Sequence, residues 1–339
     1  MSSLRPVSGS ADEILALLRE WDAARSPDPL VIETSGSTGS PKRVVLSRSA
    51  MRASALATHE RLGGPGQWVL NLPPTYVAGL QVLYRCVVAG TSPVAFGPSF
   101  AETRSRVTGR SYVSLVPTQL VRVLHGSRPE LAALADFDAV LIGGGPLDPA
   151  TRASAEEAGV RVVQTYGMSE TCGGCVYDGL PLAGVEVRID DGALLLRGPM
   201  LFDGYEGDPA RTESVLRDGW FHTADLGHVD SSGRLHVDGR ADDVIISGGV
   251  KVPAPAVAAA IGRMRGVVAV EVVGLPDPEW GERVVAVVAA RDPISLAAVR
   301  DEVEPRSWAP RQLVVVDSLP SLPNGKVDRL RARELAARD

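Results

Sequence analysis

The sequence is short of cysteine and of positive charge. Its 339 residues include only three cysteines, Cys86, Cys172 and Cys175, which cannot form a disulfide framework in a chain of this length. Lysine and arginine number 35 against 41 aspartates and glutamates, so the net charge is −6. Such a chain lacks the basic field that draws proteins to nucleic acid. The two deficits favour a protein of a reducing compartment that does not bind nucleic acid.

Long apolar runs are missing as well. No stretch reaches the roughly 18 consecutive apolar residues that a membrane-spanning helix needs. The segment from Met1 to Pro29 shows no basic region followed by an apolar one, so it does not resemble a secretory signal. We therefore expect a cytoplasmic protein without a membrane span.

In other respects the composition is that of a folded globular protein. Hydrophobic residues make up 45% of the chain and charged residues 22%, close to the averages for globular domains. The length allows two or three domains at roughly 100 to 200 residues each. The 35 glycines and 25 prolines indicate many short turns, which favours an α/β fold over a helical bundle.

The first half of the chain alternates between two kinds of apolar pattern. Ser10 and Glu13 have capping-box spacing ahead of apolar residues at helical intervals, so an amphipathic helix is predicted to open the chain. Short β-rich runs then alternate with helix-compatible stretches, which is typical of a largely parallel sheet. These runs are Leu30–Ile32, Val44–Leu46, Trp68–Leu72, Tyr112–Val116, Ala139–Ile142 and Val160–Gln164.

The pattern changes after Val185. Closely spaced apolar runs joined by Asp, Gly and Ser indicate antiparallel hairpins, and beyond Gly239 strands and helices alternate again. The sequence therefore predicts an α/β protein. We expect residues 1–239 to form a large N-terminal domain with mainly parallel sheets and a β-hairpin subdomain, and residues 240–339 to form a small α+β C-terminal domain.

One segment has the composition of a phosphate-binding loop. Between two apolar runs, residues Thr34 to Lys42 read TSGSTGSPK and combine hydroxyls, glycines and one cation. Glycines let backbone N–H groups converge on an anion, and the lysine adds a point charge. The segment is not a Walker A loop, because Pro41 stands where the second glycine is needed. A flexible Ser/Gly hairpin is the alternative interpretation.

Two further segments follow predicted strands. Gly143-Gly144-Gly145-Pro146 would let a flat ligand approach the backbone at the carboxyl end of a strand, although Asp148 breaks the dinucleotide fingerprint and a plain tight turn is the alternative. In the segment Gln164 to Thr171, Tyr166 could stack on a base and Glu170 could hold magnesium through oxygen. An ordinary strand exit with a buried tyrosine is the competing interpretation.

Later in the chain the candidates are single residues. Asp225 could accept hydrogen bonds from ribose hydroxyls, although acids in surface turns are common. Lys326 lies on the Pro/Gly turn LPNGKVDR, where a solvated cation is the simpler interpretation. Cys172 and Cys175 have metal-ligand spacing but lack a second pair to complete a zinc site. The histidines of the hairpin region, His222, His228 and His236, are interpreted as structural or exposed.

Taken together and in this order, the motifs resemble those of the adenylate-forming acyl-CoA synthetases, a family that includes luciferases and peptide-synthetase adenylation domains. The resemblance covers roughly Val31 to Arg329. It implies a two-step reaction, in which a carboxylic acid and ATP form an acyl-adenylate and a thiol then displaces AMP. It also implies a mobile C-terminal domain, with ATP, Mg²⁺ and CoA as cofactor and substrates, and it leaves a homodimer open.

The resemblance assigns a role to each matching position. The catalytic residues it implies are Lys326, Glu170 and Ser169, with Glu170 as the metal ligand and Asp242 as the hinge. The implied acyl-binding residues are Tyr76, Gly79, Gln81 and Met168, and the implied CoA-binding residues are Ser247, Gly248, Gly249 and Trp280. The implied ATP-binding residues are Thr34, Ser35, Gly36, Ser37, Thr38, Gly39, Lys42, Gly143, Gly144, Gly145, Thr165, Tyr166, Gly167, Asp225 and Arg240.

Within that family the chain looks most like the compact o-succinylbenzoate–CoA ligases of menaquinone biosynthesis. Only 33 residues precede Thr34, and Asn71 to Gly79 reads NLPPTYVAG. Tyr76 replaces a common histidine, and Arg43 replaces the usual glycine after the loop lysine. The alternatives are a ligase for another aromatic or fatty acid, an enzyme that loads a carrier protein, and a non-catalytic nucleotide-binding regulator.

Overall fold

A computed structural model describes residues 5–34, 42–322 and 327–338, with the side chains of Arg5 and Asp242 left aside. Predictions for Ser35, Gly36, Ser37, Thr38 and Gly39 fall on the gap between the first two ranges, and that for Lys326 falls on the second gap. Among the described residues, no helix has the length and apolar character to cross a bilayer.

The first half of the chain forms helices alternating with strands. The elements are β1 (Arg5–Pro6), α1 (Ala11–Ala23), β2 (Leu30–Thr34), β3 (Lys42–Leu46), α2 (Arg48–Arg61), β4 (Gln67–Leu70), α3 (Val77–Ala89), β5 (Val94–Ala95), α4 (Phe100–Ser105), β6 (Ser111–Leu115), α5 (Pro117–Leu124), α6 (Arg128–Ala135), β7 (Ala139–Ile142), α7 (Pro149–Glu157) and β8 (Val162–Met168). Helix α1 begins at the predicted capping box, in which the Ser10 and Glu13 side chains each bond the other's backbone N–H.

Short strands dominate the next part. They are β9 (Gly173–Tyr177), β10 (Leu180–Pro181), β11 (Glu186–Asp190), β12 (Ala193–Arg197), β13 (Gly204–Tyr205), β14 (Leu216–Arg217), β15 (Trp220–Val229) and β16 (Leu235–Arg240), with α8 (Pro209–Val215) among them. The last part contains β17 (Val244–Ser247), β18 (Val250–Pro253), α9 (Ala254–Gly262), β19 (Val267–Asp277), β20 (Gly281–Ala290), α10 (Leu296–Glu302), β21 (Gln312–Val316) and α11 (Arg329–Ala336).

The largest sheet has seven strands in the order β10-β9-β8-β7-β6-β4-β5. Strands β5, β4, β6, β7 and β8 are parallel, whereas β9 and β10 are antiparallel to their neighbours. Strand β7 is buried along its whole length, as expected for a parallel strand covered by helices on both faces. This arrangement confirms the predicted α/β class.

A second sheet, in the order β1-β2-β3-β13, differs from the prediction. The runs Leu30–Ile32 and Val44–Leu46 are not parallel neighbours in a βαβ unit, because β2 and β3 pair antiparallel. A parallel crossover needs a dozen or more connecting residues, and only residues 35–41 separate these strands. Strands β2 and β3 therefore form an antiparallel pair and not part of a βαβ unit.

The remaining two sheets occupy the later part of the chain. Strands β11, β12, β14, β15 and β16 form an antiparallel sheet, which confirms the predicted hairpins. The last sheet has the order β18-β17-β20-β19, with β21 on β20. Its two apolar clusters contain no residue before Ile245 among those described. This separate packing is compatible with a domain division at residues 239 and 240, which stays a prediction.

Candidate nucleotide- and acyl-binding site

Lys42, Glu170 and Tyr205 form a charged cluster at the base of the β2–β3 hairpin. The Nζ atom of Lys42 lies 4.0 Å from Oε1 of Glu170, and the Tyr205 hydroxyl donates a 2.8 Å hydrogen bond to the same oxygen. Glu170 and Tyr205 are each 7% exposed. A cation and a carboxylate therefore meet where β3 begins.

Three chain segments bring this cluster together. Strand β3 supplies Lys42, and β13 pairs antiparallel with β3 so that Tyr205 lies opposite Val44. Glu170 lies in the 3₁₀ turn Ser169–Thr171 that follows β8. Its backbone carbonyl accepts a 2.9 Å hydrogen bond from the N–H of Phe202, so the cluster is fixed by backbone as well as by side-chain contacts.

A second polar cluster joins β8 to the β15–β16 hairpin. Asp225 and Arg240 are directly opposed in that ladder, and Nη1 of Arg240 lies 3.4 Å from Oδ1 of Asp225. The Tyr166 hydroxyl donates a 2.5 Å hydrogen bond to Oδ2. Burial, and then the negative charge of Asp225, raise the pKa of Tyr166 far above its ordinary value, so the phenol stays a donor at neutral pH.

The predicted glycine run lies at the carboxyl end of β7, the edge at which open parallel sheets bind ligands. The N–H of Gly143 donates to the Leu115 carbonyl at 3.1 Å, and the Thr165 hydroxyl donates to the Ile142 carbonyl at 3.3 Å. A Cβ on Gly143 would lie 2.4 Å from Oγ1 of Thr165. Gly144 has φ +81°, and both Gly144 and Gly145 are exposed. Glycine is thus favoured by the backbone conformation at Gly144, whereas a side chain at Gly143 would displace the Thr165 hydroxyl.

Strand β8 extends further than predicted and includes Thr165, Tyr166, Gly167 and Met168. The extension arises because β9 returns antiparallel against it. A Cβ on Gly167 would lie 2.1 Å from the carbonyl oxygen of Gly173, so the close approach of the two backbones requires glycine there. The segment that carries these predicted site residues is a strand, not a loop.

Three of the predicted acyl-binding residues lie at the start of α3, whereas Met168 ends β8. Tyr76 is the N-cap residue of that helix, and a Cβ on Gly79 would lie 2.2 Å from the carbonyl oxygen of Pro73. Gln81 is 1% exposed, and its Nε2 donates a 2.8 Å hydrogen bond to the Cys172 carbonyl. Gln81 thereby joins α3 to the turn after Glu170, and its contact with an acyl group stays a prediction.

The predicted CoA-binding residues lie together in the last sheet. Gly248 and Gly249, with φ +59° and +78°, follow β17, and the Gly248 N–H donates to the Trp280 carbonyl at 2.8 Å. Ser247 is 4% exposed, and its hydroxyl has no hydrogen-bond partner among the described residues. Cζ of Arg311 lies 3.3 Å from the centroid of the Trp280 ring. The sequence analysis did not identify Arg311, because only the fold brings it to Trp280.

The predicted hinge lies in the 3₁₀ turn Ala241–Asp243, directly after β16. Asp243 forms an ion pair with Arg329, whose Nε lies 2.9 Å from Oε1 of Glu271. The turn is therefore tied to α11 and β19, two elements of the C-terminal part.

Cys172 and Cys175 are fully buried, and burial raises the pKa of both thiols, that of Cys175 to about 12. His228 and His236 are exposed and stack at 5.1 Å between ring centroids.

Within the described ranges, no three His, Cys, Asp or Glu side chains are grouped to hold a metal ion. Glu170 remains a suitable oxygen ligand for magnesium, because this ion is usually held by one or two carboxylates together with substrate phosphates.

The sequence pattern of AMP-binding enzymes matches residues 18–206, and that of the AMP-binding enzyme C-terminal domain matches residues 256–326. The chain belongs to the AMP-binding enzyme family, and the resemblance inferred from the motifs is confirmed. Similar proteins of named activity indicate which members of this family the chain resembles. A Mycobacterium tuberculosis protein named as a probable 2-succinylbenzoate–CoA ligase is 44% identical over 94% of this chain and 87% of its own length.

A 2-succinylbenzoate–CoA ligase of Listeria monocytogenes is 34% identical over 95% of this chain and 73% of its own length. Among solved structures, the o-succinylbenzoate–CoA synthetase of Bacillus subtilis with the acyl-adenylate intermediate has a TM-score of 0.79 at 26% identity, covering 90% of this chain and 68% of that one. The same Bacillus protein with ATP and magnesium gives a TM-score of 0.77 at 27% identity, covering 90% and 69%.

Proposed function

We propose that this enzyme joins 2-succinylbenzoate to CoA at the expense of ATP, through an acyl-adenylate, and releases AMP and diphosphate. The placement of Lys42 and Glu170 4.0 Å apart at the base of the β2–β3 hairpin carries the chemistry. The choice of acid is supported by the 44% identity to the mycobacterial relative. The product fits the menaquinone pathway expected from the sequence.

The first half-reaction must overcome repulsion between a carboxylate and a triphosphate. Lys42 neutralises charge on the β and γ phosphates, and the hydroxyls of the segment Thr34 to Lys42 donate hydrogen bonds to them. Glu170 would hold magnesium, which would share the remaining negative charge. Tyr166 and the Gly143–Gly145 run bind the adenosine, with Asp225 accepting from the ribose. Lys326 bridges the substrate carboxylate and the α-phosphate. Preorganised donors of this kind are each worth roughly 10² to 10³ in rate.

In the second half-reaction the thiol of CoA attacks the acyl-adenylate carbonyl, and AMP leaves. Ser247, Gly248, Gly249 and Trp280 bind CoA, which is supported by their grouping around one backbone hydrogen bond. Because Lys326 and this CoA-binding group belong to one domain but serve successive steps, the domain rotates about Asp242 between them. A cytoplasmic location and a homodimer also remain predictions.

Pyrophosphate exchange and thioester formation, measured with 2-succinylbenzoate, benzoate and a fatty acid, test the proposal. We expect exchange that depends on 2-succinylbenzoate, followed by thioester formation with CoA. If only another acid supports exchange, that acid is the substrate. If the acyl group passes only to a carrier protein, the acceptor is not CoA. Nucleotide binding without exchange would indicate a regulator. Lys326→Ala should abolish exchange yet spare thioester formation from preformed adenylate, whereas Lys251→Ala, at an exposed lysine of the same domain, should leave exchange unchanged.

A further inference from the structure

The segment Phe202–Tyr205 holds Glu170 at two points. Its first residue donates a backbone hydrogen bond to the Glu170 carbonyl at 2.9 Å, and its last donates a side-chain hydrogen bond to Oε1 at 2.8 Å. Both the position and the rotamer of the glutamate are therefore specified by the same short segment.

The two carboxylate oxygens of Glu170 have different surroundings. Oε1 accepts from the Tyr205 hydroxyl and lies 4.0 Å from Nζ of Lys42. Among the described residues, no hydrogen bond reaches Oε2. Because one oxygen is engaged by the protein, the other remains for a cation, and a single oxygen from one carboxylate suits the octahedral shell of Mg²⁺.

Tyr205 is itself rigidly held. Its N–H donates to the Thr212 hydroxyl at 2.8 Å, and its ring packs edge-to-face on Phe202 at 5.0 Å between centroids. Cζ of Arg211 lies 5.3 Å from the ring centroid. The Tyr205 hydroxyl therefore points in a fixed direction.

We propose that Tyr205 is a positioning residue for the divalent metal ion, holding Oε1 of Glu170 so that Oε2 faces the cation. The inference rests on the proposed function, in which Glu170 holds the metal ion and Lys42 serves the phosphates. Among the described residues, the Tyr205 hydroxyl is the donor within hydrogen-bonding distance of Oε1, since Nζ of Lys42 lies 4.0 Å away. Without the Tyr205 hydroxyl, this buried carboxylate oxygen would lack a hydrogen-bond donor, and the carboxylate would no longer be held in one orientation.

The test is Mn²⁺ binding, measured by electron paramagnetic resonance with the full-length protein and α,β-methylene-ATP, which cannot be turned over at the α-phosphate. For Tyr205→Phe we expect Mn²⁺ affinity about tenfold weaker, since the hydrogen bond that orients the Glu170 carboxylate towards the cation is lost. Binding of AMP without metal should change by less than about twofold.

Tyr84→Phe is the matched control. It also removes a buried tyrosine hydroxyl that donates to a carboxylate, at 2.6 Å to Oδ1 of Asp22, but it lies between α1 and α3. Its Mn²⁺ affinity should equal that of the wild type. A weakening as large as that in Tyr205→Phe would show a general effect of losing a buried hydroxyl and would overturn the inference.

Two further outcomes separate this inference from the proposed function. If Glu170→Gln weakens Mn²⁺ binding and Tyr205→Phe does not, the positioning role of Tyr205 is wrong while the metal role of Glu170 stands. If Glu170→Gln leaves Mn²⁺ affinity unchanged, the metal role in the proposed function fails first. Should Tyr205→Phe not fold, Thr212→Val decides instead: it removes the acceptor of the Tyr205 N–H, and an unchanged Mn²⁺ affinity would count against the proposal.

Discussion

Tyr166 donates a 2.5 Å hydrogen bond to Asp225, although the two residues are 59 positions apart. The tyrosine lies on β8 of the parallel sheet and the aspartate on β15 of the hairpin sheet. The contact therefore fixes one sheet against the other at the proposed ribose site. It also orients the Asp225 carboxylate, whose other oxygen faces Arg240.

Tyr166→Phe should impair catalysis with ATP more than it lowers the stability of the fold. Loss of a hydrogen bond to a charged group costs roughly 1.5 to 3 kcal/mol, so we expect the KM for ATP to rise about tenfold or more. The ratio of kcat/KM for ATP to that for 2′-deoxy-ATP should fall towards one, because a misoriented Asp225 no longer distinguishes the 2′-hydroxyl. Tyr112→Phe, which removes donation to backbone carbonyls of Leu62 and Gly64, should keep the wild-type ratio. An unchanged ratio in Tyr166→Phe would contradict this role.

Gly167→Ala should destabilise the protein. The added methyl group would lie 2.1 Å from the Gly173 carbonyl oxygen, and because that oxygen is backbone, β8 and β9 must separate. Overpacking of this kind typically costs about 1 to 3 kcal/mol. Gly145→Ala is the control, since nothing lies within 4 Å of its added carbon. Urea unfolding should show a lower midpoint for Gly167→Ala alone, and equal midpoints would contradict the close approach.

His59 should make stability depend on pH. It is 5% exposed, and burial together with Arg85 lowers its pKa from 6.5 to about 4. Between pH 6.5 and about 4 the histidine is protonated in the unfolded chain but not in the folded one. The unfolding free energy therefore falls as the pH drops through this range. The full effect of one such group is up to about 3 kcal/mol. In urea titrations across this range, His59→Asn should show a shallower fall than the wild type; parallel profiles would exclude His59 as the source.

Arg329→Gln should destabilise the C-terminal part of the chain. Arg329 pairs with both Asp243 and Glu271, whose side chains are only 12% exposed, and removing one partner of a buried ion pair costs about 3 to 5 kcal/mol. Because Arg329 itself is 35% exposed, we expect about 2 kcal/mol. Arg331→Gln, which breaks an exposed pair with Glu334, should cost less than about 1 kcal/mol.

The loss in Arg329→Gln should shrink at low pH. Burial already raises the pKa of Glu271 above its ordinary value, and without the arginine this carboxyl is more readily protonated. A group whose pKa is higher in the folded state than in the unfolded state stabilises the fold at low pH. This stabilisation is lost as the pH rises through the folded-state pKa. The difference in unfolding free energy from the wild type should therefore be smaller at pH 5 than at pH 7.5, and a constant difference would contradict the ion-pair explanation.

The sequence was informative wherever the signal is local. The capping box at Ser10 and Glu13, the buried run Ala139–Ile142 and the glycine at position 144 each depend on neighbours within a few residues. The motif order from Thr34 to Lys326 similarly predicted the family, because residue types and spacing are read directly from the chain. The comparisons then confirmed that family.

Tertiary structure decided which chain segments meet. The pairing of β13 with β3 places Tyr205 on Glu170, and the fold of the last sheet places Arg311 on Trp280. Neither pairing has a local sequence signal, since the partners are joined only through strand register and packing. The length of β8 was likewise set by β9, whose antiparallel return turns a predicted strand exit into a strand. Residue types and spacing thus determined the chemistry available to this protein, and long-range backbone pairing determined which groups come within hydrogen-bonding distance.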